Sequence, residues 1–120
     1  MEDLNKRKVG SVYEGLAAEY LIGKGYRILE RNYRCRLGEV DLIAEKEIGG
    51  IFWLVFVEVK YRASLTYGYP AEAVTASKQR TIHKVAGYYL MQHRYSTQTP
   101  CRFDVISILG SEITHLEGVF

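Results

Sequence analysis

The sequence predicts an α/β fold, a central mixed β-sheet flanked by helices with its elements in the order αβββαββ, and three observations carry the prediction. Apolar residues recur at helical spacing in two segments, and alternating or wholly apolar runs of strand length fill most of the remainder. One of the two helices stands between the third and fourth of those runs, which allows a parallel crossover there, whereas the other connections are short enough for antiparallel pairing. At 120 residues, 48% apolar and 25% charged, the chain suits one domain with a modest core.

The first helix is predicted over Val9 to Lys24, where Val9, Val12, Tyr13, Leu16, Ala17, Tyr20 and Leu21 fall on one stripe and Gly25 stands in the C-cap position. Three strands follow, Tyr26 to Cys35, Glu39 to Glu45 and Ile51 to Tyr61, separated by Arg36-Leu37-Gly38 and by a turn around Gly49-Gly50. Beyond a loop holding Tyr67, Gly68, Tyr69 and Pro70, a second helix begins near Thr75 or Ser77, either of which can cap it, and buries Ile82, Val85, Ala86, Tyr89 and Leu90. Cys101 to Leu109 reads as a fourth strand, and Ile113 to Phe120 as a fifth at the sheet edge after the Gly110-Ser111 turn.

Several function classes are excluded. Cys35 and Cys101 are the only cysteines and sit in no CxxC or Cys/His pattern, so neither a zinc site nor a disulfide framework is expected. His83, His93 and His115 form no ligand or triad spacing, and no Gly-rich phosphate loop follows a strand. The longest apolar run, Ile51 to Val57, is far too short for a membrane span, and Met1 to Lys8 contains no hydrophobic signal core, which makes a cytoplasmic location the expectation.

The chemistry concentrates at the end of the third strand. That strand is apolar on both faces until Glu58 and Lys60, which share a face by two-residue alternation. A charge at such a position costs several kcal/mol unless it is paired, hydrogen-bonded or metal-bound. In the preceding strand Glu39 and Asp41 share one face while Val40, Leu42 and Ala44 share the other, although the connection to the third strand is too long to set register. If the two strands pair, Asp41 lies beside Glu58, and a hard divalent cation such as magnesium would keep both ionised. Lys60 would then pass a proton or stabilise the transition state of phosphodiester hydrolysis. The competing reading is a structural Glu-Lys or Asp-Lys ion pair.

Flanking residues extend the candidate site. Glu14 lies about 20° from Leu21 on a helical wheel and can face the sheet, or can be a surface carboxylate. Lys78 precedes Ile82 and Val85 by four and seven positions and points inward beside Gln79, or lays its stem over the core. The net charge of +2 is uninformative, but Lys6, Arg7 and Lys8 open the chain, and Arg27, Arg31, Arg34 and Arg36 are interleaved with Tyr26 and Tyr33. Arg31, Arg34, Arg36, Arg62 and Gln79 are therefore the candidate nucleic-acid contacts, against the plainer reading of a solvated strand edge.

Ordered blocks across nearly the whole chain carry a resemblance: Tyr13-Glu14-Gly15-Leu16-Ala17, Gly38-Glu39-Val40-Asp41-Leu42-Ile43-Ala44, Phe56-Val57-Glu58-Val59-Lys60, Tyr67-Gly68, Glu72-Ala73-Val74, Lys78 and Arg102-Phe103-Asp104-Val105-Ile106. The chain resembles the PD-(D/E)XK nuclease superfamily, and within it the YraN-like family of small bacterial endonuclease-like proteins. Val40 stands where the motif's name has proline. The resemblance implies a restriction-endonuclease-like fold, with Asp41 and Glu58 as ligands of magnesium or manganese, the Val59 carbonyl as a third ligand, Lys60 as the catalytic lysine and Glu14 as an auxiliary acid. It further implies a DNA endonuclease acting on structured, branched or single-stranded DNA, with a homodimer as one available assembly. The alternative is a catalytically inert nucleic-acid-binding or partner-binding module on the same scaffold.

Overall fold

A computed structural model describes residues 2–62 and 74–120, with side chains described from residue 10 onward. Lys6, Arg7 and Lys8 of the basic opening, and Tyr67, Gly68, Tyr69, Pro70, Glu72 and Ala73 of the central loop, lie outside the described side chains. The described elements are α1 (Glu2–Gly23), β1 (Arg27–Cys35), β2 (Gly38–Ile48), β3 (Ile51–Arg62), α2 (Ala76–Gln92), β4 (Cys101–Leu109) and β5 (Glu112–Leu116). The five strands form one sheet in the order β1-β2-β3-β4-β5, antiparallel throughout except for the parallel β3–β4 pair. Among the described residues, no helix is long and apolar enough to cross a membrane.

Two apolar layers sandwich this sheet. On one side Ala17, Ala18 and Leu21 of α1 pack with Leu42, Ala44, Val55, Val57, Ile106 and Ile108. On the other, Ile82, Val85, Ala86 and Tyr89 of α2 pack with Val40, Ile43, Leu54 and Phe56. β3 feeds both layers from alternate residues, the burial expected of a central strand covered on both faces. Cys35 and Cys101 are free, half-buried thiols packed against the α2 layer.

Four details depart from the sequence expectation. Helix α1 begins at Glu2 rather than Val9, because Glu, Leu, Lys and Arg have good helix propensity even where no apolar periodicity marks them in the sequence. Strand β2 runs on to Ile48, so only Gly49 and Gly50, at φ 61° and 80°, turn the chain into β3. Two consecutive positive φ values suit a tight hairpin, and this turn sets the register that a longer loop would have left open: Ile48 pairs with Ile51 and Leu42 with Val57. The face assignment in β2 also changes. Leu42 and Ala44 lie in the α1 layer, but Val40 lies in the α2 layer. Asn32, opposite Asp41 in the β1–β2 register, adopts a positive φ of 53° and interrupts the alternation there. Finally, β5 ends at Leu116, after which Gly118 N–H turns inward to Asp104 Oδ1.

Candidate metal and phosphate site

The β2–β3 ladder ends at the Leu42–Val57 pair, while β2 continues alongside β1 as far as Gly38. The two strands therefore part at Asp41, and the opening is closed by a side chain: Asp41 Oδ2 accepts the Val59 N–H at 2.7 Å. In an extended strand a residue's N–H and C=O leave on the same side. The Val59 carbonyl thus faces the same opening as the Asp41 carboxylate, the direction required of the third ligand expected from the sequence.

Continuing the hairpin register past Leu42–Val57 sets Asp41 opposite Glu58. Glu58 is buried at 4% exposure on the α2 face of the sheet. Its Oε1 receives two ammoniums, Lys60 at 3.6 Å and Lys78 at 3.7 Å, whereas its Oε2 is buried and has no hydrogen-bond partner among the described residues. Burial, followed by the charge of Asp41, pushes the Glu58 carboxyl up to about 7. Burial likewise raises Asp41, partly offset by the Val59 N–H and the Lys78 charge. Two raised, neighbouring carboxyls and an orphaned buried oxygen describe a site that lacks positive charge at one point.

Local structure explains how the helices reach this point. Thr75 caps α2, its Oγ1 accepting from Lys78 N–H at 3.1 Å, and Gln79 Nε2 donates to Val74 O at 3.0 Å. These bonds hold the first turn of α2 so that Lys78 extends to Glu58; Ser77 is inside the helix rather than its cap. On the other face, Tyr13 of α1 stacks on Tyr61 with ring centroids 3.8 Å apart, fixing α1 against the end of β3. Glu14 follows and approaches Asn32 and Asp41; burial, then the Asp41 charge, raises its carboxyl. Gly10, Ser11, Glu14, Asn32, Arg34, Glu39 and Asp41 line a cleft of about 230 Å³.

The structure thus brings together Asp41, Glu58, Lys60, Val59, Lys78 and Glu14. Glu39 reaches the cleft but is paired with Arg34 at 3.0 Å and exposed. Gln79 is engaged at the helix cap rather than at the carboxylates. Arg31 and Arg36 are exposed on β1 and the β1–β2 turn, away from Glu58, and Arg62 lies two residues beyond Lys60 at the end of β3. Sequence reasoning missed Asn32, the Tyr13–Tyr61 stack and the Val59 N–H. It also missed a buried network on the α1 side, in which Asp104, fully buried, accepts from Arg102 Nε at 2.9 Å and Gly118 N–H at 2.9 Å and contacts His115 Nε2 at 2.7 Å. Arg102 in turn donates to the Tyr26 hydroxyl. A polar pair two residues apart in an apolar strand was the available signal, but its partners are distant in sequence.

Chemically, two carboxylates with a backbone carbonyl are oxygen donors of the kind a magnesium or manganese ion accepts, the ion completing its shell with water. The unpartnered Glu58 Oε2 fits that use. Among the described residues no group of three or more His, Cys, Asp or Glu side chains could hold a metal, so side chains alone would not complete the shell.

Comparison with known sequences adds the following. The model of Uncharacterised protein family UPF0102 matches residues 13–108. A UPF0102 protein of Lachnoclostridium phytofermentans is 50% identical over 117 residues, covering 98% of this chain and 96% of its own. One from Caldanaerobacter subterraneus subsp. tengcongensis is 46% identical over 120 residues, covering 99% and 94%. A third, from Symbiobacterium thermophilum, is 52% identical over 102 residues, covering 85% and 82%.

Proposed function

Because the chain belongs to Uncharacterised protein family UPF0102, a family whose name carries no activity, we propose its function from the site: a divalent-metal-dependent endonuclease of the PD-(D/E)XK type on a restriction-endonuclease-like fold, hydrolysing phosphodiester bonds in DNA, with structured or branched DNA as the favoured substrate. The observation that carries this reading is Glu58, buried beside Asp41 with one oxygen shared by two lysines and the other without a donor among the described residues.

In this reading Asp41 and Glu58, with the Val59 carbonyl, hold magnesium or manganese at the fork between β2 and β3. Bound there, the ion would polarise the scissile phosphate and lower the pKa of an attacking water. Lys60, whose ammonium lies 3.6 Å from Glu58 Oε1, would favour the charge that develops on the reacting phosphate. Glu14, with a raised carboxyl at the cleft, supplies an acid beside Asp41. Arg34, at the cleft wall, and the exposed Arg31 and Arg36 would position the backbone of the nucleic acid without reading its sequence.

The test is cleavage of supercoiled plasmid, a four-way junction and single-stranded DNA by purified protein. Cutting is expected only with magnesium or manganese, and is expected to vanish in Asp41→Ala, Glu58→Ala and Lys60→Ala. Equal activity in the wild type and all three variants would overturn the assignment. A second reading, a nucleic-acid-binding or partner-binding module without turnover, draws on the absence of a three-side-chain ligand group among the described residues. It predicts salt-sensitive DNA binding that survives Asp41→Ala and weakens in Arg31→Ala or Arg34→Ala.

A further inference from the structure

We propose that Lys78 is a substrate-binding residue held in reserve by Glu58: its ammonium leaves Glu58 Oε1 for a phosphate oxygen of nucleic acid when that carboxylate engages a divalent cation. The inference rests on the nuclease reading above and deepens it by assigning the step that couples cation loading to substrate binding.

The distribution of partners around Glu58 motivates it. Both ammoniums approach the same oxygen, at 3.6 Å and 3.7 Å, while the second oxygen is buried with no donor among the described residues. A divalent cation at the carboxylates of Asp41 and Glu58 would add two positive charges to a group that already holds the Lys60 and Lys78 ammoniums, and an ammonium left at Glu58 would face a like charge at close range. One lysine has to yield. Lys60 stands two residues from Glu58 on the same strand, where the parallel pairing with β4 sets it against Ser107. Lys78 projects from the first turn of α2, and at 37% its side chain is the more exposed of the two. Its backbone is held by the Thr75 cap, so the four-carbon stem swings while its origin stays fixed.

The destination is supplied by the same helix. The first turn of α2 carries no acidic residue, so its positive dipole end favours an anion near the released ammonium. A phosphodiester matches that charge, and its oxygen can accept a charge-assisted hydrogen bond from the ammonium.

The experiment uses Ca²⁺, an oxygen-binding cation, with calorimetry of the full chain and fluorescence anisotropy of a labelled single-stranded oligodeoxynucleotide. Wild type should bind Ca²⁺, and Ca²⁺ should strengthen oligonucleotide binding by about tenfold or more. Lys78→Met should bind Ca²⁺ more tightly than wild type, because a competing charge is gone, yet lose most of the Ca²⁺-induced gain. Lys78→Arg should recover part of that gain. A full Ca²⁺-induced gain in Lys78→Met would overturn the proposal while leaving the nuclease reading intact. No Ca²⁺ binding by wild type, or Ca²⁺ binding undiminished in Glu58→Gln, would overturn the metal site and this proposal with it.

Discussion

Lys78 brings its ammonium to 3.7 Å from Glu58 Oε1 and so ties the first turn of α2 to the end of β3. Even with this contact and its counterpart from Lys60, Glu58 is held near 7 by burial and by Asp41. A carboxyl raised in the folded state contributes stability that is complete below its ordinary value near 4.5 and is lost as pH rises through about 7. In the absence of divalent ions, stability should therefore fall by on the order of 2–3 kcal/mol between about pH 5 and 8. Glu58→Gln should flatten that profile and be the more stable protein at the upper end. Urea denaturation in a chelating buffer across this range measures both effects, and parallel profiles for the two proteins would contradict the prediction.

Asp41 has a structural duty separable from any chemistry. Asp41→Asn keeps an oxygen for the Val59 N–H, whereas Asp41→Ala leaves that N–H without its acceptor. The alanine variant should be less stable than the asparagine variant by about 1–3 kcal/mol, and neither should support metal-dependent cleavage. Thermal denaturation of the pair, read alongside plasmid nicking, separates the two roles.

How much of this was legible beforehand follows from the range of each interaction. Alternation alone set Glu58 and Lys60 on one face, and helical spacing allowed Lys78 and Glu14 to face the sheet while leaving a surface position open to each. The mixed sheet between two helices followed from the same periodicities. The face switch at Val40 was hidden, because it coincides with a positive φ at Asn32 in the neighbouring strand, which strict alternation does not anticipate. The pairing of Glu39 with Arg34 was hidden as well, since strict alternation aligned Glu39 with Asp41 and gave no sign that a cross-strand arginine would claim it. Tyr26 and Arg102, 76 positions apart, meet only once β1 and β4 flank the same layer.

The Asp104 network should dominate stability on the α1 side. Burial alone would raise this carboxyl, but hydrogen bonds from His115, Arg102 and the Gly118 N–H hold it below its ordinary value. Its contribution is present above about 3.8 and is lost as pH falls through the lower folded value. Asp104→Ala removes the fully buried bidentate partner of the half-buried Arg102 and should cost about 3–5 kcal/mol. Guanidinium denaturation at neutral pH checks this; a loss under about 1 kcal/mol, the scale of an exposed ion pair, would mean that the network is dispensable.

Gly38 and Gly87 form a matched control for the packing of α2 on β2. Gly38 has φ 145°, and a Cβ there would meet the Thr81 methyl at 2.5 Å, whereas a Cβ at Gly87 meets nothing within 4 Å. Gly38→Ala should destabilise by about 1–3 kcal/mol, and Gly87→Ala should stabilise by about 0.5–1 kcal/mol through helix propensity. Melting curves of the two variants should move in opposite directions.

The fork between β2 and β3 also gives the protein an internal isotope reporter. Most amide protons of a central strand are locked by backbone ladders and exchange only when the sheet opens. The Val59 proton is instead secured by a carboxylate at the heart of the candidate site. Any occupant that turns Asp41 away frees this one amide while its neighbours in the β3–β4 ladder stay protected, so its exchange rate follows occupancy of the fork without substrate, turnover or label.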